Sequence, residues 1–334
     1  MSIDLTVIWA GIISFAVIMY VVMDGFDLGI GILFPFFRAK ADRDTMMNSV
    51  APIWDGNETW LVLGGGGLMA AFPLAYGVIL SALYVPLILM LIALTFRGVA
   101  FEFRFKSQRL LPAWDAGFVA GSIIATVMQG VALGALIDGI RVEGRVYAGG
   151  PFDWLTPFAV FTGAALVAGY AMLGCGWLIM KTEGALQRRM FRLMPTLSGL
   201  VLLAILVVSL WTPLTHPPIA QRWFTLPNLI YLSPVPLLVA LIAGAILLAV
   251  CRRAERSPFL LGLALFVLAY VGLGISLWPN VVPPSITIWQ AAAVPETQTF
   301  MLVGVIVLLP VILGYTAYSY WAFRGKVTDA GYHA

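Results

Sequence analysis

The sequence predicts an all-α polytopic membrane protein with nine transmembrane helices, and three observations carry that prediction. Hydrophobic residues make up 61% of the chain and charged residues 10%, with a mean hydropathy of +0.97, a balance outside the range of soluble domains. The apolar runs are long enough for spans of about 20 residues, whereas barrel strands would alternate over about ten. Finally, Lys and Arg collect in alternate loops, as they do when charge sets the orientation of short membrane loops.

The nine segments are 7–36, 48–72, 76–101, 114–138, 153–180, 193–213, 231–251, 258–279 and 299–323, within one integral membrane domain spanning 1–334. The first follows Met1–Thr6, which lacks Lys and Arg, and its apolar run is too long for a cleaved signal-peptide core. The second opens at Asn48 and contains Gly64 to Gly67, where glycines allow close helix packing or mark a break. The third ends in FRGVAFEFR, which places Arg97 within the membrane and Glu102 near its edge.

Basic loops close the first, third, fifth and seventh segments, and a basic tail closes the ninth. They hold Arg38, Lys40, Arg43, Arg104, Lys106, Arg109, Lys181, Arg188, Arg189, Arg192, Arg252, Arg253, Arg256, Arg324 and Lys326. The opposite side holds only Arg141, Arg145 and Arg222. This asymmetry predicts an external N-terminus and a cytoplasmic C-terminus. It also explains the net charge of +3 without nucleic acid as a partner.

Three stretches on the opposite side, Asp138–Phe152, Thr212–Ile230 and Asn280–Gln298, exceed a tight turn, and the last two are rich in Pro and aromatics suited to capping a helix bundle at the interface. Cys175 and Cys251 lack metal or redox spacing and read as buried small residues. The only histidines, His216 and His333, fall in an outer loop and in the tail, so no span offers an imidazole to haem iron.

Four acids stand out against this background. Asp24 and Asp27 lie in the first segment, Asp55 and Glu58 in the second, each pair three residues apart and so near one face of its helix. With a rise of ~1.5 Å per residue, Asp27 and Asp24 lie about 16 and 21 Å inward from Arg38. Asp55 and Glu58 lie about 10 and 15 Å inward from Asn48 on the same scale. Both pairs therefore reach similar depths in the cytoplasmic half. Charges there are costly and point to function, with a proton path the leading reading and hydrogen-bonded packing the alternative. Arg97 and Glu102 form a candidate structural ion pair, and an acid of the first two segments is Arg97's other candidate partner.

The segments MDGFDLGIGILFPF, NSVAPIWDGNETWLVLGGGG through FRGVAFEFR, WPNVVPPSITIW and LLPVILGYTAYSYW resemble subunit II of the cytochrome bd quinol oxidases. The likeness is weaker, mainly in hydropathy, from Asp115 to Leu277. It implies two four-helix bundles plus a peripheral helix, paired with a similarly folded subunit I. In that family subunit I carries two haems b, one haem d and the quinol site, and this chain ligates no cofactor. Acids at the positions of Asp24 and Asp55 are proposed in the family to line a proton path, to which helical spacing adds Asp27 and Glu58.

The chain is short for the family and so resembles its compact, cyanide-insensitive members. Gln290 stands where some relatives carry Asp. The resemblance implies a heterodimer in the bacterial inner membrane, reducing O₂ to water with quinol and generating proton motive force without pumping. A single-helix accessory subunit, quinone and lipid are further candidate partners. The rival readings are a proton-coupled secondary transporter and a purely structural subunit.

Overall fold

The computed structural model describes residues 4–107 and 109–327, and His333 lies outside them. Helix α1 (Leu5–Leu33) starts where the Asp4 side chain accepts from the Thr6 and Val7 amides at 3.0 and 3.3 Å, satisfying two orphan donors of the first turn. A short 3₁₀ turn (Phe34–Phe36) leads to α2 (Lys40–Asn48), a helix within the basic loop that follows the first predicted segment. The second span, α3 (Trp54–Ala71), therefore starts six residues later than predicted, after the turns of Ser49–Ile53.

The quartet Gly64 to Gly67 does not break α3. Gly64 packs on Ala16 and Val17 and Gly67 on Ile13, while Gly65 and Gly66 are open. The break falls at Phe72, before a proline suited to a first helical turn, and α4 (Pro73–Ala82) leaves at 120° to α3. The third predicted segment is thus split into α4 and the span α5 (Tyr84–Arg104).

The chain continues through α6 (Leu111–Asp138), the hairpin β1 (Val142–Glu143) and β2 (Val146–Tyr147), α7 (Pro157–Lys181) and α8 (Gly184–Thr215). Next come α9 (Pro217–Phe224), α10 (Asn228–Leu232), α11 (Pro234–Cys251) and α12 (Ser257–Leu277). The hairpin β3 (Asn280–Val282) and β4 (Ile286–Thr287), α13 (Ile288–Ala291) and α14 (Pro295–Ala322) complete it. Among the described residues eight helices are long and apolar enough to cross a membrane, and counting the bent pair α3–α4 as one span gives nine.

The loops with most of the basic residues lie at one end of the spans, here called the basic face. At the other end α4 packs against β2, β3 and α13, so the proline- and aromatic-rich connections form a cap. Gln290 accepts from the Thr287 amide at 2.8 Å in a capping box at the start of α13.

Helix α1 contacts α3, α6 and α7, α5 lies on α6, and α12 touches α7. The closest approach is between α1 and α7, where a Cβ on Gly29 would stand 1.8 Å from the Tyr170 carbonyl oxygen and one on Gly174 2.6 Å from the Gly29 carbonyl carbon. Such contacts replace the hydrophobic drive that lipid removes between helices. Helix α14 is the least covered, lying on α1 and α3 alone among the more extensive contacts. Cys251 is exposed, contrary to the buried position expected for it, while Cys175 is buried.

Candidate functional site

Close glycine packing draws α1, α3 and α5 near enough for their charged groups to meet. Arg97 on α5, with its side chain fully buried, pairs with Asp24 at 2.7 Å and, through its other terminal nitrogen, with Glu58 on α3. Gly121 gives α6 close access to this part of α5, since a Cβ there would lie 3.0 Å from the Arg97 amide. The sequence-predicted pairing of Arg97 with Glu102 does not form. Glu102 points outward five residues on, where the helix has turned, and pairs with Lys106 at 3.4 Å.

Asp27 occupies the next turn of α1 and is fully buried. One carboxylate oxygen accepts from the Asn57 side-chain amide at 2.7 Å, while the other has no hydrogen-bond partner among the described residues. Asn57 also donates to the Met23 carbonyl at 3.2 Å and accepts from the Tyr320 hydroxyl at 2.9 Å, tying α3 to both α1 and α14. Asp24 and Glu58 thus share one guanidinium, and the third carboxyl, Asp27, has no cation partner among the described residues, so the cluster holds three carboxyls to one guanidinium. Burying the surplus negative charge is costly unless protons neutralise it.

Asp55 is not in this buried group. It sits in the first turn of α3, exposed, where the helix N-terminus favours a carboxylate. Glu58, one turn on, is 26% exposed and stands between Asp55 outside and Arg97 inside. The four acids therefore form a sequence from a buried pair on α1 to an exposed residue on α3.

Several polar groups in and around this site were missed by sequence reasoning. Asn57 lies inside WDGNETW and Tyr320 inside LLPVILGYTAYSYW, but neither carries a charge to mark it. A buried polar ladder also lies one turn before Asp24 on α1: Gln129 donates to the Tyr20 hydroxyl at 2.7 Å, and Tyr170 donates to Gln129 at 2.9 Å. At the basic face Arg104, read as a loop charge, is 2% exposed, bound to Asp115 at 2.5 Å and Asp44 at 2.6 Å. Arg43 adds a second contact to Asp115 at 2.7 Å, so α2, α5 and α6 are clamped together.

Residues 5–323 match the family described as cytochrome bd terminal oxidase subunit II. The chain belongs to that family. It is 31% identical to cytochrome bd-I ubiquinol oxidase subunit 2 of Escherichia coli (strain K12), across 96% of this chain and 94% of the relative. It is 28% identical to cytochrome bd ubiquinol oxidase subunit 2 of Bacillus subtilis (strain 168), across 96% of each. The fold matches a chain in the structure of bd oxidase from Geobacillus thermodenitrificans with a TM-score of 0.79 and 16% identity, covering 96% of this chain and 99% of that one.

Membership makes the chain a subunit of a respiratory quinol oxidase, an integral membrane complex with a partner subunit I, and sets aside the transporter reading. The family implies haem and quinol in the complex. Among the described residues the one imidazole that could meet a haem iron is that of His216. His216 lies at the capped face with one ring nitrogen 2.8 Å from the Thr215 hydroxyl and the other 3.3 Å from the Asp138 carbonyl oxygen.

Proposed function

We propose that this chain is the haem-free subunit II of a cytochrome bd quinol oxidase and carries cytoplasmic protons toward the oxygen-reducing site of subunit I. The observation that carries the reading is the stoichiometry of the buried cluster, three carboxyls to one guanidinium, continued outward by Glu58 to exposed Asp55. Haems b and d held by subunit I supply the electron transfer and oxygen chemistry. The present chain's part is to hold and pass protons: Asp27 and Asp24 inside, Glu58 at the boundary, and Asp55 on the outer side of α3.

Reducing one O₂ to two waters consumes four protons and four electrons, the latter from two quinols. With the N-terminus outside and the C-terminus cytoplasmic, an orientation that the loop charges support, quinol protons are released on one side while those for water are taken from the other. That separation generates proton motive force without pumping. Arg97 holds Asp24 and Glu58 at fixed positions, so that they face each other across one guanidinium.

Two groups of variants test the relay. Asp55→Asn and Asp24→Asn, in complexes with unaltered haem spectra, are expected to slow O₂ reduction and proton uptake while leaving quinol-driven haem reduction intact. Unchanged turnover and charge translocation in both would leave only a structural role for the acids. The two ion pairs of Arg97 specifically favour that structural reading, and proton uptake by the acid variants decides between them.

A further inference from the structure

We propose that a cavity at the basic face, between α7, α14 and the turn that precedes α3, is the water-filled mouth through which protons reach Asp27. This deepens the proton-uptake reading and rests on it. The cavity encloses about 480 Å³, and Asn48, Ser49, Trp177, Lys181, Tyr320 and Ala322 are among the residues that line it. That space suffices for several waters, and Asn48, Ser49 and Tyr320 offer the polar partners that ordered water needs.

Its inner wall leads to the acid cluster. Tyr320 lines the cavity and donates to Asn57 at 2.9 Å, and Asn57 in turn donates to Asp27 at 2.7 Å. The remaining oxygen of Asp27 has no partner among the described residues, although the residue is fully buried. An unpaired buried carboxylate oxygen is costly, and a proton or a water arriving from the cavity satisfies it. Asp27 is also close to this face, about 9 Å along α1 from Leu33 at ~1.5 Å per residue.

An amide does not readily relay a proton, so Asn57 and Tyr320 act by position. Asn57 fixes one carboxylate oxygen of Asp27, and Tyr320 fixes Asn57 from the cavity side, which leaves the other Asp27 oxygen free to accept. In the transfer itself a hydrated proton leaves water for the free oxygen of Asp27, forming the neutral acid, and the water is replenished from the basic face. The cations at the rim are engaged with protein. Lys181 donates to the Phe323 and Gly325 carbonyls at 2.5 and 3.1 Å, and Lys326 to the Thr182 carbonyl at 3.0 Å and Glu255 at 2.8 Å. These contacts fold the tail over the cavity as a wall and leave neither lysine as a free anion receptor.

The test obstructs the mouth of the assembled oxidase. In a complex carrying Cys251→Ser, Ala322→Cys is modified with a bulky maleimide after purification, and the Cys251→Ser complex treated alike is the control. Ala322→Trp obstructs the same space without reagent. Both obstructed forms are expected to reduce their haems with quinol at the control rate and to take up protons about tenfold more slowly. Normal proton uptake by the maleimide-modified complex, while Asp24→Asn is slow, overturns the mouth and leaves the relay standing. Normal uptake in both overturns the relay as well.

Discussion

Replacing Arg97 with Met removes the one cation of the buried cluster and keeps a long unbranched side chain in its place. Arg97 is fully buried, its partner Asp24 has a side chain 1% exposed and Glu58 26% exposed. Removing one partner from a buried ion pair typically costs about 3–5 kcal/mol, because the other charge is left uncompensated. Here Glu58 can turn toward its exposed side and Asp24 can take up a proton, which places the expected loss near the lower end, about 3 kcal/mol. For large domains ~1 kcal/mol shifts Tm by about 2–4 °C, so a fall of about 6–12 °C is expected.

The assay is thermal loss of haem absorbance in the purified complex, measured beside Asp24→Asn and the double variant. Asp24→Asn on the Arg97→Met background removes the stranded charge and is expected to recover part of the stability. Arg97→Lys is expected to recover little, because a single ammonium cannot present the planar fork that spans two carboxylates. An Arg97→Met complex as stable as the parent would refute the cluster as an electrostatic unit. So would a double variant as poor as the sum of the two single changes.

Three further substitutions probe the scaffold. Gly29→Ala places a methyl 1.8 Å from the Tyr170 carbonyl oxygen and 2.9 Å from the Gly174 amide, both backbone, so α1 and α7 must separate. A loss of about 3 kcal/mol or more is expected, seen as a fall in yield of assembled complex. Gly199→Ala on α8, with nothing within 4 Å of the added carbon, is expected to be neutral or to gain up to about 1 kcal/mol. Equal yields of the two would contradict the close α1–α7 contact. At the tail, hydrogen bonds from Lys326 and then Gln187 hold Glu255 below the usual carboxylate range. A depressed value makes the contact stabilising at pH above the ordinary carboxylate range and lost as pH falls through the lowered value. Hydrogen exchange at the Val327 amide, which donates to the Lys181 carbonyl at 2.8 Å, is expected to quicken in Lys326→Ala at neutral pH and in the parent only under strong acid. Exchange unaltered by the substitution would detach the tail's position from this pair.

The spans were legible because length and apolarity alone define them in lipid, and all nine regions contain a membrane-crossing helix or half of the bent pair. What composition could not show was the local detour: α2 hides in a polar loop, and α4 is as apolar as a span although its axis turns away at Phe72. In the site, charged groups announced themselves because charge inside an apolar segment is rare. Their partners did not. Arg97 was visible, but whether it faced Glu102 or Asp24 depended on helix rotation, and packing at Gly121 and Gly29 fixes that rotation through contacts distant in sequence. Asn57, Tyr320 and Gln129 are uncharged and unremarkable in their segments, so only tertiary contacts identify them.

The burial gradient also changes the relation among the four acids. Spacing alone treats Asp24 with Asp27 and Asp55 with Glu58 as equivalent pairs at similar depth. In the fold, Asp24 and Asp27 are sealed within the subunit, Asp55 is exposed, and Glu58 alone touches both environments. An acid in that position is bound to the fixed charge of Arg97 on one side and open on the other. If protons enter at the cavity beside Tyr320, they must cross the buried acids before leaving the chain. On the proposed route Glu58 is the acid that joins the sealed pair to the exposed side, although Asp24 and Asp55 are the positions that the family resemblance singles out.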